Sequence, residues 1–193
     1  MKPVSLLPIL GAAVLLVAAP ATARQTPPSF ADVADMSASW PDGERVLVVS
    51  AVMPASRAEV WAALTTEAGW KTYMGVAQAR VDLRPGGAIE TSYKPASEIA
   101  LGSRGTIINA IEAVVPESLL IIRNTQAPVD FQHAEEFSRT LSIITLEPAD
   151  GGTRVTLRGT GFVAGAAYDS LYARFRMGNA YTLQHMHDAF AAR

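Results

Sequence analysis

The stretch MPASRAEVWAALTT at residues 53–66 decides the fold of this chain, because it joins a strand to a capped helix. The preceding residues 46–53 are almost all apolar and rich in valine, which predicts a strand that stops at Pro54. The Ser56 hydroxyl can accept a hydrogen bond from a free N–H of the first helical turn. Glu59 stands three residues later as its capping-box partner, so a helix is predicted to begin here.

The predicted helix has one apolar side. Val60, Ala63 and Leu64 recur at helical spacing, and Trp61 lies beside them. We expect this side of the helix to pack against the sheet that the preceding strand begins.

The rest of the chain predicts antiparallel strands followed by a long helix. The predicted strands span residues 76–83, 88–94, 105–114, 118–124, 139–147 and 153–162, and residues 125–138 are predicted to be irregular. The last two strands are joined across Asp-Gly-Gly at 150–152, the strongest hairpin signal in the chain. Short and long helices are predicted at 67–74 and 166–192, and the second would be about 40 Å long.

The terminal helix is also predicted to be amphipathic. Its apolar stripe at helical spacing comprises Leu171, Phe175, Gly178, Thr182, Met186 and Phe190. A helix of this kind can lie across a whole small domain and cover one face of its sheet.

Composition limits both the architecture and the chemistry. The chain has 193 residues, of which 49% are hydrophobic and 18% charged, which suits one domain with a full core. Because there is no Cys, disulfides, thiolate metal sites and a Cys nucleophile are excluded. The net charge is −2 and the arginines are scattered, so no nucleic-acid partner is predicted.

The N-terminus predicts export. Lys2 precedes an apolar run at residues 4–19, and Ala-Thr-Ala at 21–23 fits a signal peptidase site, so residues 1–23 are predicted to be a cleavable signal peptide. A retained membrane anchor is the disfavoured alternative, because the run is short and interrupted by Pro and Gly. The mature protein is then expected in the periplasm or secreted, with no membrane span. Residues 24–44 are predicted to be a linker, and 45–193 a single domain.

Several local motifs carry a family resemblance. These are VW at 60–61, DLRPGG at 82–87, PESLL at 116–120, GTRVTL at 152–157 and GNAYTL at 178–183. In these motifs and in the order of its predicted strands and helices, the chain resembles the SRPBCC superfamily, also called START-like or helix-grip. Within it, the chain resembles the branch named after the activator of Hsp90 ATPase. The resemblance covers residues 45–193. It implies an α+β fold in which a curved antiparallel sheet wraps around a long C-terminal helix, with short helices after the first strand.

The resemblance also implies a container. A small hydrophobic or amphipathic molecule would lie between the sheet and the terminal helix, and no cofactor is expected. We predict as pocket residues Trp70, Tyr73, Ile107, Asn109, Leu171, Phe175 and Asn179. The amides among them need hydrogen-bond partners when buried, and backbone, water or a ligand could supply them.

Catalysis is less well supported by the motifs. G-x-S-x-G is absent, and His185 and His187 diverge on a predicted helix, so neither a serine hydrolase nor a metal site is predicted. His133 beside Glu135 and Glu136 is interpreted as a solvated acidic loop. Two alternatives stay open: an enzyme of the polyketide cyclase or aromatic-substrate type using the same pocket, and a co-chaperone-like interaction module. Export disfavours the second alternative.

Overall fold

The computed structural model describes residues 30–193, so the predicted signal peptide and the start of the predicted linker lie outside the described residues. Within this range the strands are β1 Val33–Asp35, β2 Ala38–Ser39, β3 Arg45–Met53, β4 Gln78–Val81, β5 Ala88–Ser92, β6 Ile107–Val115, β7 Leu119–Gln126, β8 Leu141–Ala149 and β9 Gly152–Phe162. The helices are α1 Arg57–Thr65, α2 Glu67–Tyr73, α3 Ala134–Ser138 and α4 Ala166–Ala191.

The strands form one antiparallel sheet against which the terminal helix packs. Their order is β1-β3-β9-β8-β7-β6-β5-β4, and β2 pairs with β3 next to β1. Helices α1 and α2 connect β3 to β4, while α4 packs mainly along β3 and less extensively on β9. Register shifts between β3 and β9 and between β6 and β7 bend these strands. The predicted α+β helix-grip architecture is therefore confirmed.

The opening strand-to-helix junction forms as predicted. The backbone N–H of Glu59 donates to the Ser56 hydroxyl at 3.3 Å, and the Ser56 N–H donates to the Glu59 carboxylate at 3.0 Å. Val60 and Leu64 are buried in the core. Trp61 is half-buried and packs against the edge of that core, so it contributes less to the interior than its size suggests.

The predicted linker differs from the structure between residues 33 and 39. There the chain forms β1 and β2, which add backbone hydrogen bonds to the edge of β3. Asp35 also pairs with Arg176 of α4 at 2.5 Å. Edge strands this short carry no alternating apolar pattern, because backbone groups rather than side chains make the pairing. Of the two aromatic residues in the described part of this segment, Phe30 packs against the core while Trp40 is about half exposed.

Two further details correct the sequence prediction. The segment predicted to be irregular contains α3, a helix too short to show a periodic signal. In α4, Gly178 is exposed rather than part of the apolar stripe. The buried positions of α4 are Leu171, Ala180, Leu183, Met186 and Phe190.

Candidate functional site

A cavity of about 200 Å³ lies between the inner face of the sheet and α4. The strands contribute the apolar lining residues Ile107, Ile122, Ile144, Val155 and Leu157. The helices contribute Leu64, Trp70, Phe137, Phe175, Leu183 and Met186, and Met74 directly follows α2. Its polar lining is Thr91, Tyr93, Asn109, Asn124, Ser142, Asn179 and Thr182. A concave, mostly apolar space with a few polar groups is typical of small-molecule sites, although this one is at the small end of their range.

The cavity follows from how the helix meets the sheet. Because α4 packs mainly along β3, the inner faces of β5 to β8 extend beyond its closest contact. Alternation along the strands places Ile122 and Ile144 on this inner face and Ile121 and Ile143 on the other. The space left over is bounded by α2 and α3, which contribute Trp70 and Phe137, among others.

Aromatic rings form the wall nearest the core. The Phe175 ring lies 5.8 Å, centroid to centroid, from both Phe137 and Phe162. Phe162 is fully buried, whereas Phe175 is only partly covered and lines the cavity. Phe175 therefore belongs to both the core and the site.

Amide side chains supply the polar part of the wall. Asn109 and Asn124 face each other across β6 and β7, and both are buried. The Asn124 amide donates to the Thr140 hydroxyl at 2.5 Å, which fixes its orientation. Within residues 30–193, the buried Nδ2 of Asn179 has no hydrogen-bond partner. The α4 side of the cavity thus holds an amide donor that a ligand could use.

The described lining contains no Asp, Glu, Lys, Arg or His. Its titratable side chain is Tyr93, which is 65% exposed and therefore stands at the mouth of the cavity. Burying a charge without a partner is costly, so the interior favours uncharged molecules.

Five of the predicted pocket residues line this cavity: Trp70, Ile107, Asn109, Phe175 and Asn179. Binding of a ligand by these residues stays a prediction. The Trp70 ring N–H donates to the Leu64 carbonyl at 2.8 Å, so the ring is held in place at the wall.

Tyr73 and Leu171 were predicted to lie in the pocket and do not line it. The Tyr73 ring stacks on Phe190, with centroids 4.6 Å apart, and Leu171 is buried in the core at 1% exposure. Helical periodicity identifies the apolar side of a helix, but it does not distinguish core contacts from a cavity on that same side. This is why the sequence cannot separate these two residues from the five that line the cavity.

Sequence reasoning missed several lining residues, among them Met74, Tyr93, Asn124, Ser142 and Thr182. For two of them, Asn124 and Ser142, the strand alternation in the sequence does indicate a position on the inner face. Asn124 lies two residues after Ile122, and Ser142 lies two residues before Ile144, so strand alternation places each polar residue on the apolar face.

A buried carboxylate on the outer face anchors the loop between two cavity-lining residues. The Glu90 side chain, which is 5% exposed, accepts hydrogen bonds from the Gly102 N–H at 2.5 Å and the Thr106 hydroxyl at 2.7 Å, and it pairs with Arg80. The anchored loop joins Tyr93 to Ile107. Burial opposes ionisation of Glu90, but the two hydrogen bonds and the Arg80 guanidinium together hold its pKa below the ordinary value of 4.5.

Glu90→Gln is expected to lower the free energy of unfolding near neutral pH by about 1–3 kcal/mol, because it removes a buried charge-assisted contact. A pKa that is lower in the folded protein adds stability above about pH 4.5, and this contribution is lost as the pH falls below that value. The variant should therefore lose less stability than the wild type on acidification. Urea unfolding across this pH range measures both effects.

Glu98→Gln is the matched control. It removes an exposed ion pair with Lys94, whose side-chain atoms are 3.1 Å apart, and should change stability by at most about 0.5 kcal/mol. Equal losses in the two variants would contradict an anchoring role for Glu90.

Side chains of the types that can bind a metal lie close together outside the cavity, where the segment before β1 meets the surface of α4. Atoms of Asp32, His187 and Asp188 lie within 4.8 Å of one another. The Gln184 amide donates to both carboxylates at 2.8 Å, so contacts within the protein account for this arrangement. The cluster ties the segment before β1 to α4.

The geometry defines the class of protein. A long C-terminal helix packed on a bent antiparallel sheet, with a cavity between them and short helices after the first long strand, is the helix-grip architecture of the SRPBCC superfamily. The model of one family, described as Activator of Hsp90 ATPase homolog 1-like protein, matches residues 54–191. The chain belongs to this family.

Solved structures show the same fold at low sequence identity. Protein MLL2253 from Mesorhizobium loti is 18% identical, with a TM-score of 0.59, over 77% of this chain and 98% of that one. The Aha1 dimer from Colwellia psychrerythraea is 16% identical, with a TM-score of 0.59, over 75% and 95%. Protein Ms6760 from Mycobacterium smegmatis is 22% identical, with a TM-score of 0.57, over 83% and 96%. Among curated proteins no relative matches this chain.

Across residues 30–193, none of the helices combines the length and the hydropathy of a membrane-spanning segment.

Proposed function

We propose that this protein binds a small hydrophobic or amphipathic molecule in the cavity beneath α4. The observation that carries the proposal is the cavity itself: a space of about 200 Å³ is many times what a single water needs, and apolar side chains form most of its wall. Protein interiors are otherwise close-packed, and an empty apolar void of this size costs stability, a cost that a bound molecule would offset.

The wall is better suited to holding a molecule than to acid–base chemistry. General acid–base catalysis uses a positioned group with a suitable pKa, most often an imidazole or a carboxylate. The described lining offers amides and hydroxyls instead, with the Tyr93 phenol at the mouth. We therefore favour a binding protein over an enzyme of the polyketide cyclase type.

Filling the cavity tests the proposal. In Thr182→Phe a ring is added on the α4 wall, where it should displace the ligand and weaken binding at least tenfold. Tyr181→Phe is the control, since the neighbouring residue is 61% exposed and lies outside the lining. Binding of small neutral aromatics and medium-chain alcohols can be followed by isothermal calorimetry, with unfolding curves to confirm that both variants fold.

A filled cavity that binds as well as the wild type would show that ligands attach elsewhere. Failure of every compound to bind the wild type would count against a container role as a whole.

We further propose that the protein is exported to the periplasm or secreted. The support is the signal-like sequence at residues 1–23, which lies outside the described part of the structure. Mass analysis of protein recovered from the exported fraction of a bacterial host should find Arg24 as the first residue. Ala23→Glu should block cleavage, and exported wild-type protein that still begins at Met1 would contradict the proposal.

A further inference from the structure

We infer that the ligand is an uncharged molecule whose hydrogen-bond acceptor, such as a ketone or ester carbonyl, meets the Nδ2 of Asn179. This inference rests on the proposed function and specifies its ligand class. It is motivated by two observations: Asn179 lines the cavity, and its buried Nδ2 has no hydrogen-bond partner within residues 30–193.

An amide N–H that is buried without a partner costs stability, so native proteins satisfy nearly all such groups with protein, water or ligand. The neighbouring amides differ in this respect. The Asn124 Nδ2 already donates to the Thr140 hydroxyl, and the Asn109 Nδ2 is not among the buried side-chain atoms that lack a partner. Asn179 therefore carries the buried amide donor of this wall that has no partner within residues 30–193.

The surroundings of this donor determine the charge of the ligand. No Lys, Arg or His lies in the described lining to balance a carboxylate, and no Asp or Glu lies there to balance an amine. An ion would therefore enter largely without a counter-charge, at a cost that one amide hydrogen bond cannot offset. A neutral carbonyl loses much less hydration free energy when it enters the cavity, and the amide N–H replaces the hydrogen bond that water made to it.

Next to Asn179 on the cavity wall lie rings and branched aliphatic side chains. Phe175 and Leu183 are each four residues away, on adjacent turns of the same side of α4. The remainder of the ligand next to its carbonyl should therefore be apolar, and a flat ring or a short branched chain fits this wall.

Three compounds of nearly equal size test the inference with the full-length protein. Acetophenone carries a neutral carbonyl, cumene has an isopropyl group without an acceptor in its place, and benzoate has an anionic carboxylate in place of the acetyl group. We expect the wild type to bind acetophenone about tenfold more tightly than cumene and at least tenfold more tightly than benzoate, as measured by ligand-observed NMR titration.

Asn179→Leu keeps the volume of the side chain and removes the donor. It should reduce acetophenone affinity about tenfold, leave cumene unchanged or improved, and so abolish the preference between the two. Tyr181→Phe is the control, because it removes a hydroxyl from an exposed residue of α4 that lies outside the lining. In this variant the preference should persist.

The outcomes separate the inference from the proposed function. If cumene or benzoate binds the wild type as well as acetophenone does, the inference is wrong while the container role stands. If the preference survives in Asn179→Leu, the donor has been misassigned. If none of the three compounds binds the wild type, the proposed function fails and the inference fails with it.

Discussion

Phe162→Ala is expected to lower the free energy of unfolding by about 3–5 kcal/mol, which is a large part of the stability of an ordinary domain. The Phe162 side chain is 2% exposed at the end of β9, and its ring meets Tyr172 edge-on at 5.2 Å. Removing it takes away apolar burial and also leaves a void next to α4. Urea unfolding followed by circular dichroism measures the loss.

Phe175→Ala is the matched comparison, since the two rings are in contact, 5.8 Å apart. Phe175 borders space that is already open, so its removal enlarges the cavity and should cost less stability than the Phe162 substitution. It should also shift binding toward larger ligands. If Phe175→Ala destabilised the protein as much as Phe162→Ala and left ligand preference unchanged, then α4 would lie flush on the sheet at this point.

Gly152→Ala is expected to cost about 2–5 kcal/mol. The residue has a φ of 147°, a conformation that is nearly restricted to glycine, and a Cβ placed there would lie 2.0 Å from the Met53 carbonyl oxygen. Backbone strain and overlap with a backbone atom therefore add together. The hairpin between β8 and β9 must shift to relieve the overlap, and thermal and urea unfolding should both report the loss.

Gly151→Ala separates the two causes. This neighbour has a φ of 84°, but no atom lies within 4 Å of the position that a Cβ would take, so only strain of about 1–2 kcal/mol is expected. If Gly151→Ala proved as costly as Gly152→Ala, the close approach to Met53 would not be what requires glycine at 152.

Local signals in the sequence predicted much of this fold. Ser56 and Glu59 form the capping box that their spacing indicates, and the hairpin across residues 150–152 joins β8 to β9. The terminal helix spans Ala166–Ala191, close to the predicted range. Each of these features depends on neighbouring residues, which is why sequence patterns are sufficient for them.

Features that depend on distant contacts were harder to predict. β1 and β2 form because their backbone groups hydrogen-bond to the edge of β3, and no side-chain pattern in the sequence predicts this pairing. Tyr73 and Trp70 are both apolar residues of α2, yet Phe190 covers only the first of them. Whether an apolar side chain meets core or cavity is decided by how far α4 stands from each strand, and that is a property of the assembled fold.

The most direct measurement of the central claim is an NMR titration of isoleucine methyl groups with acetophenone. Ile107, Ile122 and Ile144 line the cavity, whereas Ile121 and Ile143 alternate with two of them along the same strands and lie outside it. We expect the methyl signals of the first three to shift saturably and those of the other two to stay in place. Shifts at Ile121 and Ile143, or no saturable shift at Ile122 and Ile144, would contradict a ligand site beneath α4.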